Sequence, residues 1–373
     1  MRRIITRQVW RDLKQKMVFI VGPRQVGKTW LAKEIARDYS GALYLNYDDA
    51  KHREVIHDES WRPNTPLLIF DEIHKMRGWK NYLKGVFDTK PDDMHILVTG
   101  SVRLDAHRCT GDSLAGRYFT HHLMPFTLAE LEGTEYAGDL ERILERGGFP
   151  EPFLGDHVPD ALRWRNLYGD TLLRDDVLDF TSVENVLAMR QVFQLLRHRV
   201  GSPVSASALA RDVGVSPITV RRYISIFEAL YMVFSVRPYT HKISRSILKE
   251  PKIYFYDHAL VEDNQGAQFE NMVAVALFAH ILRRDDRTGS RGRLAFLKTK
   301  EGKEVDFAVV NEKNELERII ETKTGDGAIN PALRYFSEKY NIPGVQVVKN
   351  LRMERSDGPL LEIRKAEMFL AGL

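Results

Sequence analysis

Residues 17–29 read MVFIVGPRQVGKT, and this stretch decides the fold of the first third of the chain. Met17 to Val21 is a short, wholly apolar run, the kind that makes a strand buried on both faces. Gly22 to Thr29 then match G-x-x-x-x-G-K-[ST] at every fixed position. Gly22 and Gly27 let the backbone through Pro23, Arg24, Gln25 and Val26 wrap around phosphate oxygens with its N–H groups inward. Lys28 reaches the outer phosphates, and the Thr29 hydroxyl can ligate Mg²⁺. Leu31, Ile35 and Tyr39 recur at helical spacing, so the loop opens a helix whose positive end adds to the anion site.

Two more apolar runs lie further along the chain. Leu67 to Phe70 (LLIF) ends in Asp71 and Glu72, and His95 to Val98 ends in Thr99, Gly100 and Ser101. In an open α/β sheet the carboxyl ends of the strands face the ligand crevice. Asp71 is therefore placed for the Mg²⁺ shell, Glu72 to orient or deprotonate the attacking water, and a hydroxyl of the third run to sense the γ-phosphate.

The segments GPRQVGKT, LLIFDEIH, ILVTGS, SLAGRYFTHHLMPFTLAEL and GGFPEP resemble AAA-type ATPases, and more closely a bacterial and archaeal family in which a compact AAA-like domain precedes a poorly characterised C-terminal domain. That resemblance implies ATP and Mg²⁺ as cofactors and Ser101 as the sensor. It also implies Arg117 as an arginine acting on the γ-phosphate, across a subunit boundary if the chain is a homo-oligomer, with Arg103 and Arg108 as competitors.

Composition bounds the rest. The chain has 373 residues, 43% hydrophobic and 28% charged, which fits a compact protein of two or three domains and not a disordered or fibrous one. The longest apolar stretch, Met272 to Ala279, is less than half of the roughly 20 residues a membrane span needs, so neither a membrane anchor nor a signal peptide is expected. A single cysteine, Cys109, excludes a disulfide framework and a multi-cysteine zinc site and fits a reducing, cytoplasmic compartment. A net charge of +4 is too small to point to nucleic acid by itself.

From Asp139 to Arg199 the pattern is helical and arginine-rich, and reads as a connector. Ser205 to Tyr239 gives a short helix, a turn at Gly214, and a second helix with Ser216 as N-cap and Pro217 at its first position. This is a helix-turn-helix signature, with MVFSV as the start of a wing. On the second helix Val220, Tyr223, Ile224, Phe227 and Leu230 are expected inward. Thr219, Arg221, Arg222 and Ser225 are expected outward, with the two arginines as DNA contacts, although a scaffold role is equally open.

In the last hundred residues Phe269 to Ala279 reads as a buried helix carrying Glu270 near its start. KEVDFAVV (Lys303 to Val310) and LERIIETK (Leu316 to Lys323) read as a hairpin. Strand alternation puts Glu321 and Lys323 on one face, and one register brings Asp306 opposite Glu321. Carboxylates so grouped can bind Mg²⁺ or Mn²⁺ and, with Lys323, activate water against a phosphodiester. Glu270, Asp306 and Glu321-Thr322-Lys323 resemble the D…[DE]-x-K core of the restriction-endonuclease-like superfamily. YFYDHAL, the helix Pro331 to Tyr340 and the strand Val345 to Val348 also fit the C-terminal domain of the ATPase family above.

The expected architecture is α/β: an AAA-like P-loop NTPase domain (1–135), a helical connector (136–200), a winged helix (201–255) and a restriction-endonuclease-like α/β domain (256–373). The expected function is ATP hydrolysis coupled to DNA binding or processing, with Mg²⁺-dependent cleavage as an open option. The alternatives are an ATP-gated regulator with an inactive nuclease-like domain, or a small-molecule kinase.

Overall fold

A computed structural model describes residues 2–100, 114–173, 185–240, 249–262 and 264–373. Ser101, Arg103, Arg108 and Cys109 lie outside them. The chain divides into two compact units, Met1–Met124 and Pro125–Leu373.

The first unit is built on a five-stranded sheet: β1 (Met17–Val21), β2 (Leu43–Asn46), β3 (Leu67–Asp71), β4 (His95–Thr99) and β5 (Tyr118–His122). The order is β2-β3-β4-β1-β5, and every neighbouring pair is parallel. The helices α2 (Lys28–Ala36), α3 (Ala50–His57) and α4 (Trp79–Thr89) lie in the crossovers from β1 to β2, β2 to β3 and β3 to β4 that parallel strands need, and α1 (Thr6–Leu13) precedes β1. Every residue of β1 and β3 is buried, as their unbroken apolar runs require. One face packs Phe19, Val21, Leu68, Phe70 and Val98 against Trp79, Leu83 and Val86. Alternation turns Val18, Ile20 and Ile69 to the other face, where Leu31, Ala32 and Ile35 of α2 are also buried. Because all strands point one way, Gly22, Asp71 and Thr99 emerge together at the carboxyl edge.

The second unit joins segments that the sequence divides among three parts. Helices Leu140–Arg146, Val158–Thr171 and Val186–Arg197 precede the pair Ala206–Val213 and Pro217–Ala229. Ser216 caps the latter by accepting a hydrogen bond from the Thr219 N–H (3.0 Å). Its buried face carries Val220, Tyr223, Ile226 and Phe227. Ile224, expected inward, is only half buried and lines a cleft. Val220, Tyr223, Phe227 and Leu230 are buried as expected, and Ile226 is buried with them.

An eight-stranded sheet of order β12-β13-β11-β10-β9-β8-β6-β7 follows. Its strands are β6 (Val233–Pro238), β7 (Lys252–Phe255), β8 (Arg293–Lys298), β9 (Glu304–Val310), β10 (Leu316–Gly325), β11 (Gly344–Asn350), β12 (Arg355–Asp357) and β13 (Leu361–Lys365). β6, the expected start of a wing, pairs antiparallel with β7 and parallel with β8. The boundary drawn at 255/256 thus falls inside a continuous sheet, because these backbone ladders tie the helix pair to the last domain. β9 and β10 form the antiparallel hairpin. β10 and β11 are parallel, and the helix Pro331–Tyr340 supplies the crossover that such a pair needs. The helix Gln265–Thr288 is longer than the expected Phe269 to Ala279, being capped by Asn264 and ended at Gly289. Among the described residues, no helix is long and apolar enough to cross a membrane.

Candidate functional site

The phosphate loop is held in shape by contacts with its own chain. Gly22 has φ 144°, and a Cβ there would lie 2.2 Å from the Leu123 carbonyl oxygen, so only glycine fits between β1 and the chain leaving β5. Gly27, at φ 97°, turns the chain into α2, with Lys28 as the first helical residue. Arg3, a buried cation that sequence reasoning missed, donates to the carbonyls of Val26 (2.7 Å) and Met124. The Lys28 ammonium folds back on its own loop, donating to the carbonyls of Gly22 (3.0 Å) and Pro23 (2.6 Å). Burial lowers its pKa to about 8, against the raising pull of Glu72 and Asp71.

Asp71 ends β3 nearly sealed from solvent and accepts three hydroxyl hydrogen bonds. Thr29 Oγ1 and Tyr44 OH donate to its Oδ2 (2.7 and 2.6 Å), and Thr99 Oγ1 donates to its Oδ1 (2.6 Å). The hydroxyl and the acid expected to share an Mg²⁺ shell are thus in direct contact. Tyr44 was not foreseen, and Thr99 occupies the third strand end where a hydroxyl was expected. Glu72 has φ 56°, a left-handed conformation that costs a non-glycine residue of order 1 kcal/mol, and its N–H donates to the Thr99 carbonyl (3.0 Å). Burial first, then the charge of Asp71, raises its pKa, making it a stronger base than an exposed carboxylate. Lys28, Thr29, Asp71 and Glu72 therefore converge at one sheet edge. Of the expected sensors, Ser101 lies outside the described residues.

Arg117 lies elsewhere. Its carbonyl accepts from Met17 N–H at the start of β1, so it sits at the amino edge, about 16 Å of strand from the loop at about 3.3 Å per residue. Its guanidinium grips Asp88 of α4 at 2.8 and 3.1 Å, which raises its pKa and lowers that of Asp88. From there it does not serve the loop of its own chain.

In the second unit Ile320 pairs with Phe307, which sets Asp306 opposite Glu321, and the Asp306 N–H donates to Glu321 Oε2 (3.3 Å). Lys323 donates to Glu321 Oε1 (2.6 Å). Glu270 lines a cleft of about 350 Å³ together with Asp306, Lys323, Thr322, Asn264 and Gly201. A Cβ on Gly201 would lie 2.7 Å from Glu270 Oε2. Burial, then Asp306, raises the pKa of both Glu270 and Glu321, the latter to about 7.

The structure thus brings together the residues expected here, but it does not gather Glu270, Asp306 and Glu321 as a metal-ligand set. Among the described residues, no group of three or more His, Cys, Asp or Glu is arranged to hold a metal ion. Among these acids stands Lys252 of β7, unforeseen from sequence and only 1% exposed. Its ammonium stands 3.3 Å from Glu270, 2.8 Å from Glu304 and 3.7 Å from Asp306.

Arg221 and Arg222 are both exposed on the helix Pro217–Ala229. Arg221 lines a cleft of about 370 Å³ with Arg237 and Lys249, on which Glu228 and Glu250 also border.

Comparison with known proteins assigns the class of the first unit. Residues 14–132 match a family described as an AAA domain, so the five-stranded unit is an AAA-like P-loop domain. Residues 137–268 match a family described as a domain of unknown function (DUF8612). Over 247 residues the chain is 26% identical to the uncharacterized proteins Rv2008c of Mycobacterium tuberculosis and Mb2031c of Mycobacterium bovis, covering 66% of this chain and 55% of theirs. It therefore spans about half the length of these curated relatives. Among solved structures it is similar to the Walker-type ATPase paby2304 of Pyrococcus abyssi, at 12% identity, 69% of this chain, 93% of that one and a TM-score of 0.44. It is also similar to the ORC1 protein of Aeropyrum pernix in complex with DNA, at 14% identity, 74% and 94% coverage and a TM-score of 0.35.

Proposed function

We propose that this chain binds and hydrolyses ATP in its AAA-like domain and uses the nucleotide state to control DNA binding by its second unit. The observation that carries the ATPase reading is the convergence of Lys28, Thr29, Asp71 and Glu72 at one sheet edge, with Thr29 bonded to Asp71 at 2.7 Å. Incoming phosphates take over the Lys28 ammonium from the carbonyls of Gly22 and Pro23, and the loop N–H groups and the start of α2 hold the remaining oxygens. Thr29 and Asp71 would hold the Mg²⁺ that accompanies ATP, which supplies charge neutralisation of the phosphates. Glu72, desolvated and made more basic, orients water and takes its proton.

For DNA the support is the exposed Arg221 and Arg222 and the cations of the neighbouring cleft. Such contacts neutralise phosphates without reading sequence. A second reading, an ATP-gated regulator whose nuclease-like domain binds without cutting, is favoured by the position of Lys252 among the carboxylates.

The test is phosphate release and duplex binding by the whole chain. ATP alone should yield inorganic phosphate with no acceptor present, which a kinase would not do. Arg221→Ala with Arg222→Ala should weaken binding across sequences and lower the salt slope by about one to two units. Unaltered affinity and slope in that variant would return the helix pair to a scaffold role.

A further inference from the structure

We propose that the Lys252 ammonium is the resident cation of the carboxylate cluster Glu270, Glu304 and Asp306, and that the second unit works at this place without a divalent metal. Strand alternation on β7 puts Lys252 and Tyr254 on one face, and both reach Glu270. The lysine stands 3.3 Å from Glu270 Oε1, and the Tyr254 hydroxyl donates to the same oxygen at 2.6 Å. The ammonium also lies 5.4 Å from the centre of the Phe296 ring, whose face attracts cations. A lysine this buried persists only with charged partners, because an unpaired ammonium in the interior is strongly penalised. The three carboxylates meet that requirement and keep the lysine charged, its pKa raised by Glu270, Asp306 and Glu304 against the opposing effect of burial.

Oxygens of Asp306 and Glu304, and of the neighbouring Glu321, are engaged by the chain itself. Asp306 Oδ2 accepts from the Thr322 N–H (2.9 Å) and hydroxyl (2.7 Å). Glu304 Oε2 pairs with Lys298 at 2.7 Å. Glu321 Oε1 accepts from Lys323 (2.6 Å) and Asn330. Four carboxylates, of Glu270, Glu304, Asp306 and Glu321, thus meet three ammonium groups, of Lys252, Lys298 and Lys323. A divalent ion bound to Glu270 or Asp306 would sit beside a fixed positive charge, and at Asp306 Oδ2 it would also compete with bonds already made. The cleft above them is then a polar binding surface and not a hydrolytic centre. This deepens the regulator reading of the second unit, and because its test uses no nucleotide, its failure is separate from failure of the ATPase reading.

The experiment is Mn²⁺ binding to the full chain without nucleotide, read by electron paramagnetic resonance. It is run in an Asp71→Asn background so that the phosphate-loop site does not contribute. Protein with Lys252 intact should bind no Mn²⁺ that depends on Asp306. Lys252→Met should gain one bound ion, lost again on adding Asp306→Asn, whereas Lys252→Arg should gain none. Stoichiometric Mn²⁺ binding by the Lys252-intact chain that Asp306→Asn removes would overturn the proposal, as would Asp306-dependent plasmid nicking in Mg²⁺. A folded Lys252→Met protein that gains no ion would also overturn it. If that variant fails to fold, the Lys252-intact chain still decides through the first measurement.

Discussion

Raising the pH should strip ATP from this protein while leaving it folded. Lys28 must carry its charge to balance phosphate, yet burial lowers its pKa to about 8, where a free lysine stays protonated to about 10.4. The apparent dissociation constant then grows as one plus ten to the power of pH minus pKa. From pH 7 to pH 9 that is about a tenfold loss, or about 1.4 kcal/mol. An unshifted lysine would lose only a few per cent over the same range.

Stability moves the other way. The unfolded chain holds this proton more tightly than the folded one, so the destabilising contribution is present below about pH 8 and fades as pH rises through the window to about 10.5. Loss of binding and loss of fold are therefore separable by a melting curve at each pH. The assay is titration with a fluorescent ATP analogue at pH 7, 8 and 9, with Lys28→Arg as the control, since arginine keeps its charge throughout. Flat affinity in the parent protein, or the same decline in Lys28→Arg, would refute the reasoning.

Asp257 and His258 set opposing slopes in the stability of the second unit. Burial raises the Asp257 pKa to about 6, so its contribution to stability is lost as pH rises from about 4 to about 6, while burial lowers the His258 pKa to about 4, so its contribution is lost as pH falls from about 6.5 to about 4. Asp257→Asn should leave only the histidine slope, gaining about 3 kcal/mol relative to the parent between pH 4 and pH 7; parallel urea-denaturation midpoints across that range would discard this. Because Arg117 lies at the amino edge, any part it plays in hydrolysis is in a neighbouring chain: mixing Arg117→Ala with Glu72→Gln chains should restore some turnover, above that of either variant alone. Concentration-independent activity from a proven monomer would exclude it.

What could be read from the sequence was what is local in the chain. Met17 to Thr29 carries its strand, loop and helix in consecutive residues, and Asp71 and Glu72 follow directly on a run apolar enough to be buried on both faces. Alternation alone put Glu321 beside Lys323. What escaped depends on pairing between distant segments. Tyr44 reaches Asp71 only because β2 lies next to β3 in the sheet, and the short, half-exposed β2 gives little signal of its own. Lys252 defied the expectation that lysines face water, since its three acids come from a helix and a strand later in the chain. The union of β6 with β8 has the same origin. Ile224, expected inward, is only half buried because the apolar stripe of a short helix leaves its edges loosely defined.

The most direct test of the central claim separates binding from turnover at Glu72. If this carboxylate acts on the water while Lys28 and the loop hold the phosphates, Glu72→Gln should bind ATP as the parent does. Its phosphate release should fall at least roughly tenfold, the low side of the 10²- to 10⁴-fold contribution of a general base. Parent-like phosphate release from a folded, ATP-binding Glu72→Gln protein would contradict the account.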